Sequence, residues 1–182
     1  MRLLLIGRGK MGGLIAETAQ ANGDEVAASF GRDDLEQLAK LGRIADVVVD
    51  FSRPEALPEI CSYVRRTGTP LLSGTTGYTA AQKAELESLG SSAPVLWSAN
   101  YSLGVAVLFR ALRVVSDVLK PDFDIEITET HHNQKADAPS GTAKLLLDAI
   151  DPNHLLTPVY GREGNCGRRE KREIGIHALR GG

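Results

Sequence analysis

Arg2-Leu3-Leu4-Leu5-Ile6-Gly7-Arg8-Gly9-Lys10-Met11-Gly12 opens the chain with a short apolar run and a Gly-x-Gly-x-x-Gly pattern directly behind it. Such a run reads as a buried strand, and Lys10 to Asn22, stopped by Gly23, reads as the helix that follows. In that context each glycine has a physical task. Gly7 permits a tight turn, Gly9 lets a pyrophosphate approach the backbone, and Gly12 lets helix pack on strand, while the helix N-terminus attracts negative charge. Gly7, Arg8, Gly9, Lys10, Met11 and Gly12 are therefore candidate dinucleotide contacts. Glycines at this spacing also serve ordinary turns, so the weight falls on the surroundings.

Those surroundings repeat the same texture. Glu25–Phe30 and Val47–Asp50 read as further strands, and Ser52 and Pro54 open a helix to Thr67 with Gly68 at its end. Pro70–Ser73 is a fourth strand, Thr79 and Gln82 form a capping-box pattern for a helix to Leu89, and Val95–Trp97 is a fifth strand. Five strands with their crossovers fill residues 1–101 and predict a Rossmann-like α/β fold, a doubly wound, mostly parallel sheet that binds a dinucleotide. The second strand ends in Phe30-Gly31-Arg32-Asp33. An acid there pairs with a ribose hydroxyl and an arginine suits a 2′-phosphate, so Arg32 favours NADPH, with Asp33 or Asp34 leaving NADH open. Gly74, Thr75 and Thr76 after the fourth strand, and Ser98, Ala99, Asn100 and Tyr101 after the fifth, sit where strand ends face a ligand crevice; they are the remaining cofactor candidates.

Composition narrows the class. The chain has 182 residues with Lys plus Arg 21, Asp plus Glu 23 and a net charge of −2, without the basic excess of a nucleic-acid binder. A hydrophobic share of 42% supports a core, and the uncharged run Val95 to Phe109 is too short and too polar to span a bilayer. No membrane or nucleic-acid partner is expected. The apolar run Leu3–Ile6 is too short for a secretory signal, so a cytoplasmic location is expected. Cys61 and Cys166 lack metal-type spacing and read as reduced thiols, with no metal site expected.

After Ser102 the pattern changes. An apolar-striped helix carries Leu103, Val107, Ala111, Val115 and Val118 to about Leu119, and Asp124–Thr130 alternates as a half-exposed strand of an antiparallel or mixed sheet. Ser140 caps a helix to about Ile150, a polar Gly-, Arg- and Glu-rich stretch follows, and Ile174–Leu179 reads as a last strand. Residues 102–182 thus form a smaller α+β domain. Its informative part runs from Glu129 through His131-His132-Asn133-Gln134-Lys135-Ala136-Asp137-Ala138-Pro139-Ser140-Gly141-Thr142 to Ala143. Two imidazoles near neutrality, one ammonium and the unpaired amides of Ser140, Gly141 and Thr142 suit a small anionic substrate that must be protonated. Adjacent histidines point opposite ways on an extended chain, and no His-Glu-x-x-His accompanies them, which argues against a metal.

These motifs, with Asp50-Phe51-Ser52-Arg53-Pro54, Gly74-Thr75-Thr76-Gly77, Ala99-Asn100-Tyr101-Ser102 and Arg162-Glu163-Gly164, resemble over essentially the whole chain the 4-hydroxy-tetrahydrodipicolinate reductases, also called dihydrodipicolinate reductases. The resemblance implies NAD(P)H-dependent reduction of a cyclic dicarboxylate in lysine and diaminopimelate synthesis. His131 would be the proton donor/acceptor, Lys135 a second proton donor and charge partner, and His132 a substrate contact, with Gly141 and Thr142 holding a substrate carboxylate at the helix start that Ser140 opens. It also implies a homo-oligomer, a tetramer, for the full-length chain. Gly31 stands where the family has its acidic ribose-binding residue, and the chain stops at Arg180-Gly181-Gly182 where the family continues, so it reads as incomplete, with an exposed sheet edge expected. The competing readings are another nicotinamide-dependent imine or amino-acid oxidoreductase, a cofactor-binding regulatory module, and an inactive fragment that still binds cofactor.

Overall fold

Leu3, Leu4, Leu5 and Ile6 are all buried because β1 (Arg2–Ile6) lies inside a parallel sheet covered on both faces. Residues 1–182 are described by a computed structural model and divide into two units, Met1–Ala99 and Asn100–Gly182. The sheet of the first unit has the order β2-β1-β3-β4-β5, with β2 at Glu25–Phe30, β3 at Val47–Asp50, β4 at Leu71–Ser73 and β5 at Val95–Trp97. Every neighbouring pair is parallel. Since β2 and β3 lie on opposite sides of β1, the strand order reverses between β1 and β3, which is where open α/β sheets form their ligand crevice.

Strand side chains alternate between the two faces. Leu4, Ile6 and Val48 pack against Leu57, Ile60 and Val64 of α2 (Leu57–Thr67) and Leu86 and Leu89 of α3 (Ala80–Leu89). On the other face Leu3, Leu5 and Val49 meet Ile15, Ala16 and Ala19 of α1 (Lys10–Ala21). Local chemistry ends these helices where the sequence signals stand. Gly68 closes α2 in the left-handed region, at φ 65. Thr79 Oγ1 accepts from the Gln82 amide while Gln82 Oε1 accepts from the Thr79 amide, a reciprocal cap worth about 1 kcal/mol. Leu35–Lys40 forms a 3-10 turn between β2 and β3 that the sequence reading did not anticipate.

The fully buried carboxylate of Asp50, at the end of β3, is balanced by donors from three segments. The Ser52 amide donates to it at 3.1 Å, the Ser73 hydroxyl at 2.7 Å and the Tyr78 hydroxyl at 3.1 Å. Burial, and then the charge of Asp50, push the Tyr78 hydroxyl well above its ordinary range, so it stays a donor. This cluster joins the loops that leave β3 and β4.

The second unit contains α4 (Leu103–Leu119), β6 (Ile125–His131), α5 (Gly141–Ile150), β7 (Thr157–Tyr160) and β8 (Glu173–Arg180). Its sheet has the order β6-β8-β7 and is parallel throughout. That corrects the expected antiparallel or mixed sheet. The alternation of β6 comes from its burial on one face and exposure on the other, which a one-sided parallel edge strand shares with an antiparallel strand. β7 went unread because it has four residues and contains Pro158, which an edge strand tolerates. Ile127, Ala143, Ile150 and Ile174 form the core, joined by Leu112 of α4. The stripe foreseen on α4 does not line this core: Leu103, Val107, Val115 and Val118 are exposed. No helix is long and apolar enough to cross a membrane.

Candidate functional site

The sheet hydrogen bonding runs past the strand ends and fixes the loops that leave them. The Gly7 amide donates to Phe30 O at 2.8 Å and the Phe51 amide to Ile6 O at 2.9 Å, so the loops after β1 and β3 start side by side at the switch point. Gly7 has φ +106, and a Cβ there would stand 2.3 Å from Phe51 O; a Cβ on Gly12 would stand 1.9 Å from Gly7 O. Both contacts are with backbone, so the turn and the start of α1 close only around glycine. Gly9, the N-cap of α1, contributes no capping side chain, which leaves first-turn amides of the helix for an anion.

Beside this turn lies a cavity of about 1100 Å³ lined by Gly7, Arg8, Gly9, Gly31, Arg32 and Phe51, among others. Its size, and the Gly7, Gly9 and Gly31 that line it, with Gly9 the N-cap of α1, fit a dinucleotide. Arg8 reaches across to Asp34 at 2.6 Å, and Asp34 Oδ1 accepts from the Gly31 amide at 2.7 Å. The Gly31 amide, aided by Arg8 and opposed by burial, holds the Asp34 carboxyl below its ordinary value. Asp34 is thus engaged by the protein itself, whereas Arg32 and Asp33 line the cavity. Lys10, Met11 and Gly12 belong to the first turn of α1 and do not line it. Ser52, Arg53 and Glu55 do, none of them a cofactor candidate from the sequence; the signal was their place directly after a strand at the sheet's ligand edge.

The other cofactor candidates are placed elsewhere. Thr75 is buried, its hydroxyl accepting from the Ser52 amide at 2.9 Å and its carbonyl from Trp97 Nε1 at 2.9 Å, which ties the Gly74–Thr76 loop to the ends of β3 and β5. The Ser98 amide donates to Ser73 O, and Ala99 ends the first unit. Asn100 and Tyr101 fall in the second unit, where Asn100 Oδ1 accepts from the Ser102 amide ahead of α4 and Asn100 Nδ2 lies 3.5 Å from Thr142 Oγ1.

In the second unit Glu129 links the end of β6 to the start of α5. His131 is the last residue of β6, and Ser140 is the N-cap of α5, its hydroxyl accepting from the Ala143 amide at 3.1 Å. Ser140 differs from expectation in one respect: its own amide donates to Glu129 Oε1 at 3.0 Å and so is not available to a ligand. The first-turn amides of Gly141 and Thr142 open α5 beyond that cap, where a helix start can accept an anion. Glu129 Oε2 pairs with His131 Nδ1, and Arg180 at the end of β8 reaches Glu129 Oε1 at 3.4 Å while donating to Asp137 O at 2.6 Å. Burial opposes the charge on Glu129, but the Ser140 amide, Arg180 and His131 outweigh it and hold its carboxyl below the ordinary value. Lys135 Nζ pairs with Asp137 at 2.7 Å, which likewise holds the Asp137 carboxyl down. His132 follows the strand, and its carbonyl accepts from the Lys135 amide in the turn.

A second ionic group supports the sheet from the side. Arg162 bridges Glu126 and Glu173, Arg169 bridges Asp124 and Glu126, and His177 Nε2 lies 2.8 Å from Glu126. His177 first, with Arg169 and Arg162, holds the Glu126 carboxyl down to about 2. This group ties the segment between β7 and β8 to the sheet. No set of three or more His, Cys, Asp or Glu residues comes together in a metal-binding arrangement. Cys61 is buried, which pushes its thiol up to about 11, and Cys166 is exposed.

Comparison with known proteins gives concordant results for the two parts. The family profile "Dihydrodipicolinate reductase, N-terminus" matches residues 1–101, and "Dihydrodipicolinate reductase, C-terminus" matches residues 104–182. A 4-hydroxy-tetrahydrodipicolinate reductase of Clostridium tetani is 41% identical over 194 residues, covering 100% of this chain and 76% of the relative. One from Exiguobacterium sp. is 39% identical over 188 residues, covering 100% and 74%. Among solved structures, a dipicolinate-bound dihydrodipicolinate reductase from Paenisporosarcina sp. TG-14 superposes with a TM-score of 0.69 at 24% identity, covering 100% of this chain and 78% of that one. At that identity the likeness establishes a shared fold.

Proposed function

The chain belongs to the dihydrodipicolinate reductase family of nicotinamide-dependent oxidoreductases, and from that premise we propose that it reduces 4-hydroxy-tetrahydrodipicolinate to tetrahydrodipicolinate in lysine and diaminopimelate synthesis. The observation that carries the reading is the loop from β6 to α5, where one carboxylate, Glu129, holds both His131 and the amide of Ser140, the residue that precedes Gly141 and Thr142. The net reaction takes up one hydride and one proton and releases one water. A reduced nicotinamide, when bound, supplies the hydride.

The protein's own residues supply the rest. A substrate carboxylate sits on the Gly141 and Thr142 amides, where the start of α5 favours negative charge, and His132 and Lys135 complete its surroundings. Lys135 exchanges Asp137 for the incoming carboxylate, trading one anion for another. His131 gives its proton to the substrate position that gains electron density. Proton donation of this kind is worth about 10²–10⁴ in rate.

The glycine turn, Arg8 and Arg32 hold the dinucleotide, and the preferred cofactor is NADPH. Gly31 offers no acid to a ribose hydroxyl and Asp34 is engaged by Arg8 and the Gly31 amide, while Arg32 lines the same cavity. A guanidinium on a phosphate contributes about 1.5–3 kcal/mol. Arg32→Ser therefore lowers the NADPH-to-NADH ratio of kcat/KM by about 10-fold or more, measured with both cofactors in parallel. An unchanged ratio would place the 2′-phosphate away from Arg32.

The reaction itself is tested by following loss of the near-ultraviolet absorbance of NADPH with freshly generated 4-hydroxy-tetrahydrodipicolinate. Oxidation is expected only when the dicarboxylate is present, with competition by pyridine-2,6-dicarboxylate. Oxidation that proceeds with an unrelated imine and ignores the cyclic dicarboxylate would assign a different reductase.

A further inference from the structure

We propose that Glu129 is the positioning residue of this site, fixing the ring of His131 so that Nε2 faces the substrate and locking the same loop to the anion seat at the start of α5. The proposal rests on the reading of His131 as the proton donor. An imidazole has two nitrogens, and Glu129 Oε2 occupies Nδ1. The ring is thereby held as the tautomer that keeps hydrogen on Nδ1. When Nε2 gives up its proton the imidazolium becomes neutral imidazole, its Nδ1–H stays on Glu129, and the carboxylate remains charged.

The other oxygen of Glu129 accepts from the Ser140 amide at 3.0 Å, the residue whose hydroxyl caps α5. One carboxylate, with a side chain only 9% exposed, therefore spans the proton donor and the residue that precedes the Gly141 and Thr142 amides. Arg180 completes the arrangement from β8. It reaches Glu129 Oε1 and donates to the carbonyl of Asp137, and the Gly181 amide donates to His131 O at 3.1 Å, so the end of β8 fixes both ends of the loop. The register places His131 directly opposite Arg180 and Glu129 opposite Ala178, which puts carboxylate, imidazole and guanidinium on one face of the sheet.

Glu129 is the anion paired with the His131 ring, while Arg180 pairs with Glu129 and Lys135 with Asp137 in the loop beyond. Replacing Glu129 by the neutral Gln keeps the shape and removes the one anion in contact with the ring. The basic limb of the kcat profile, where the acid loses its proton, then moves to lower pH.

The test uses the full chain with NADPH and the dicarboxylate. Glu129→Gln is expected to lower kcat about 10-fold or more, to shift the basic limb downward by about one pH unit, and to leave the NADPH dissociation constant unchanged. Glu129→Asp, which keeps the charge, recovers the wild-type position of that limb. In a His131→Ala background Glu129→Gln costs less than about 2-fold more, because a residue acting through the ring has nothing left to act on. An equal loss in both backgrounds would overturn the proposal, as would a wild-type profile in Glu129→Gln. The ring-nitrogen chemical shifts of His131 in the wild-type protein, assigned by their disappearance in His131→Gln, give a readout that needs neither turnover nor a folded Glu129 variant. Hydrogen on Nδ1 in the neutral ring is the expected result. Hydrogen on Nε2 with turnover intact overturns the role of Glu129 alone, whereas absence of dicarboxylate-dependent turnover in the wild type overturns the assignment of the reaction.

Discussion

Replacing His131 with alanine lowers kcat by about 10²-fold or more and leaves NADPH binding unchanged. The size follows from the role proposed for the ring: a positioned acid that neutralises developing negative charge removes about 3 kcal/mol or more from the barrier. The selectivity follows from where the residue stands. His131 ends β6 in the unit Asn100–Gly182, whereas the glycine turn and the dinucleotide cavity belong to Met1–Ala99. Loss of the imidazole does not touch the Gly141 and Thr142 amides, so KM for the dicarboxylate changes less than kcat. Stopped-flow turnover under saturating substrate, paired with fluorescence titration of NADPH, separates the terms. The basic limb of the pH profile should also disappear in this variant. Wild-type turnover in His131→Ala would remove the ring from the mechanism and leave Lys135 to be tested as the acid.

Much of this site was legible because local chemistry decided it. The Thr79–Gln82 box, the Ser140 cap and the Gly7–Gly12 turn each depend on residues within a few positions of one another, and the structure places all three where the spacing put them. What escaped depended on partners distant in sequence. The parallel pairing of β6 with β8 joins segments about fifty residues apart, and one-sided alternation does not report strand direction. Arg180 enters the site only through that pairing. Glu129 is a different case, since a strand brings residues two apart to the same face and Glu129 stands two before His131. That two-residue spacing is the signal in the sequence that couples the carboxylate to the imidazole. Gly31 likewise pointed to the missing ribose acid, yet only the fold shows that Asp34 is already held by the Gly31 amide and Arg8.

Gly12 and Gly13 should behave oppositely on substitution by alanine, although they are neighbours in the same helix. A Cβ on Gly12 would lie 1.9 Å from the carbonyl oxygen of Gly7, a backbone atom in the turn after β1, whereas a Cβ on Gly13 meets nothing within 4 Å. Relief of the first clash requires α1 to move off β1 or the Gly7 turn to open, and overpacking of this kind costs about 1–3 kcal/mol. Either movement displaces the Gly9 approach and the helix amides together, so Gly12→Ala is expected to weaken NADPH binding by about 10²-fold and to lower Tm. Gly13→Ala replaces a poor helix former with the best one in open space and should raise stability by about 0.5–1 kcal/mol, with cofactor affinity retained. Thermal unfolding and NADPH titration of the two variants side by side distinguish steric closure of the dinucleotide turn from a general intolerance of α1 to substitution. Equal losses in both would mean that helix packing, rather than the contact with Gly7, governs the turn. Wild-type binding in Gly12→Ala would show that the turn has room the close approach of Gly7 and Gly12 denies, and the dinucleotide would then have to be held without that closure.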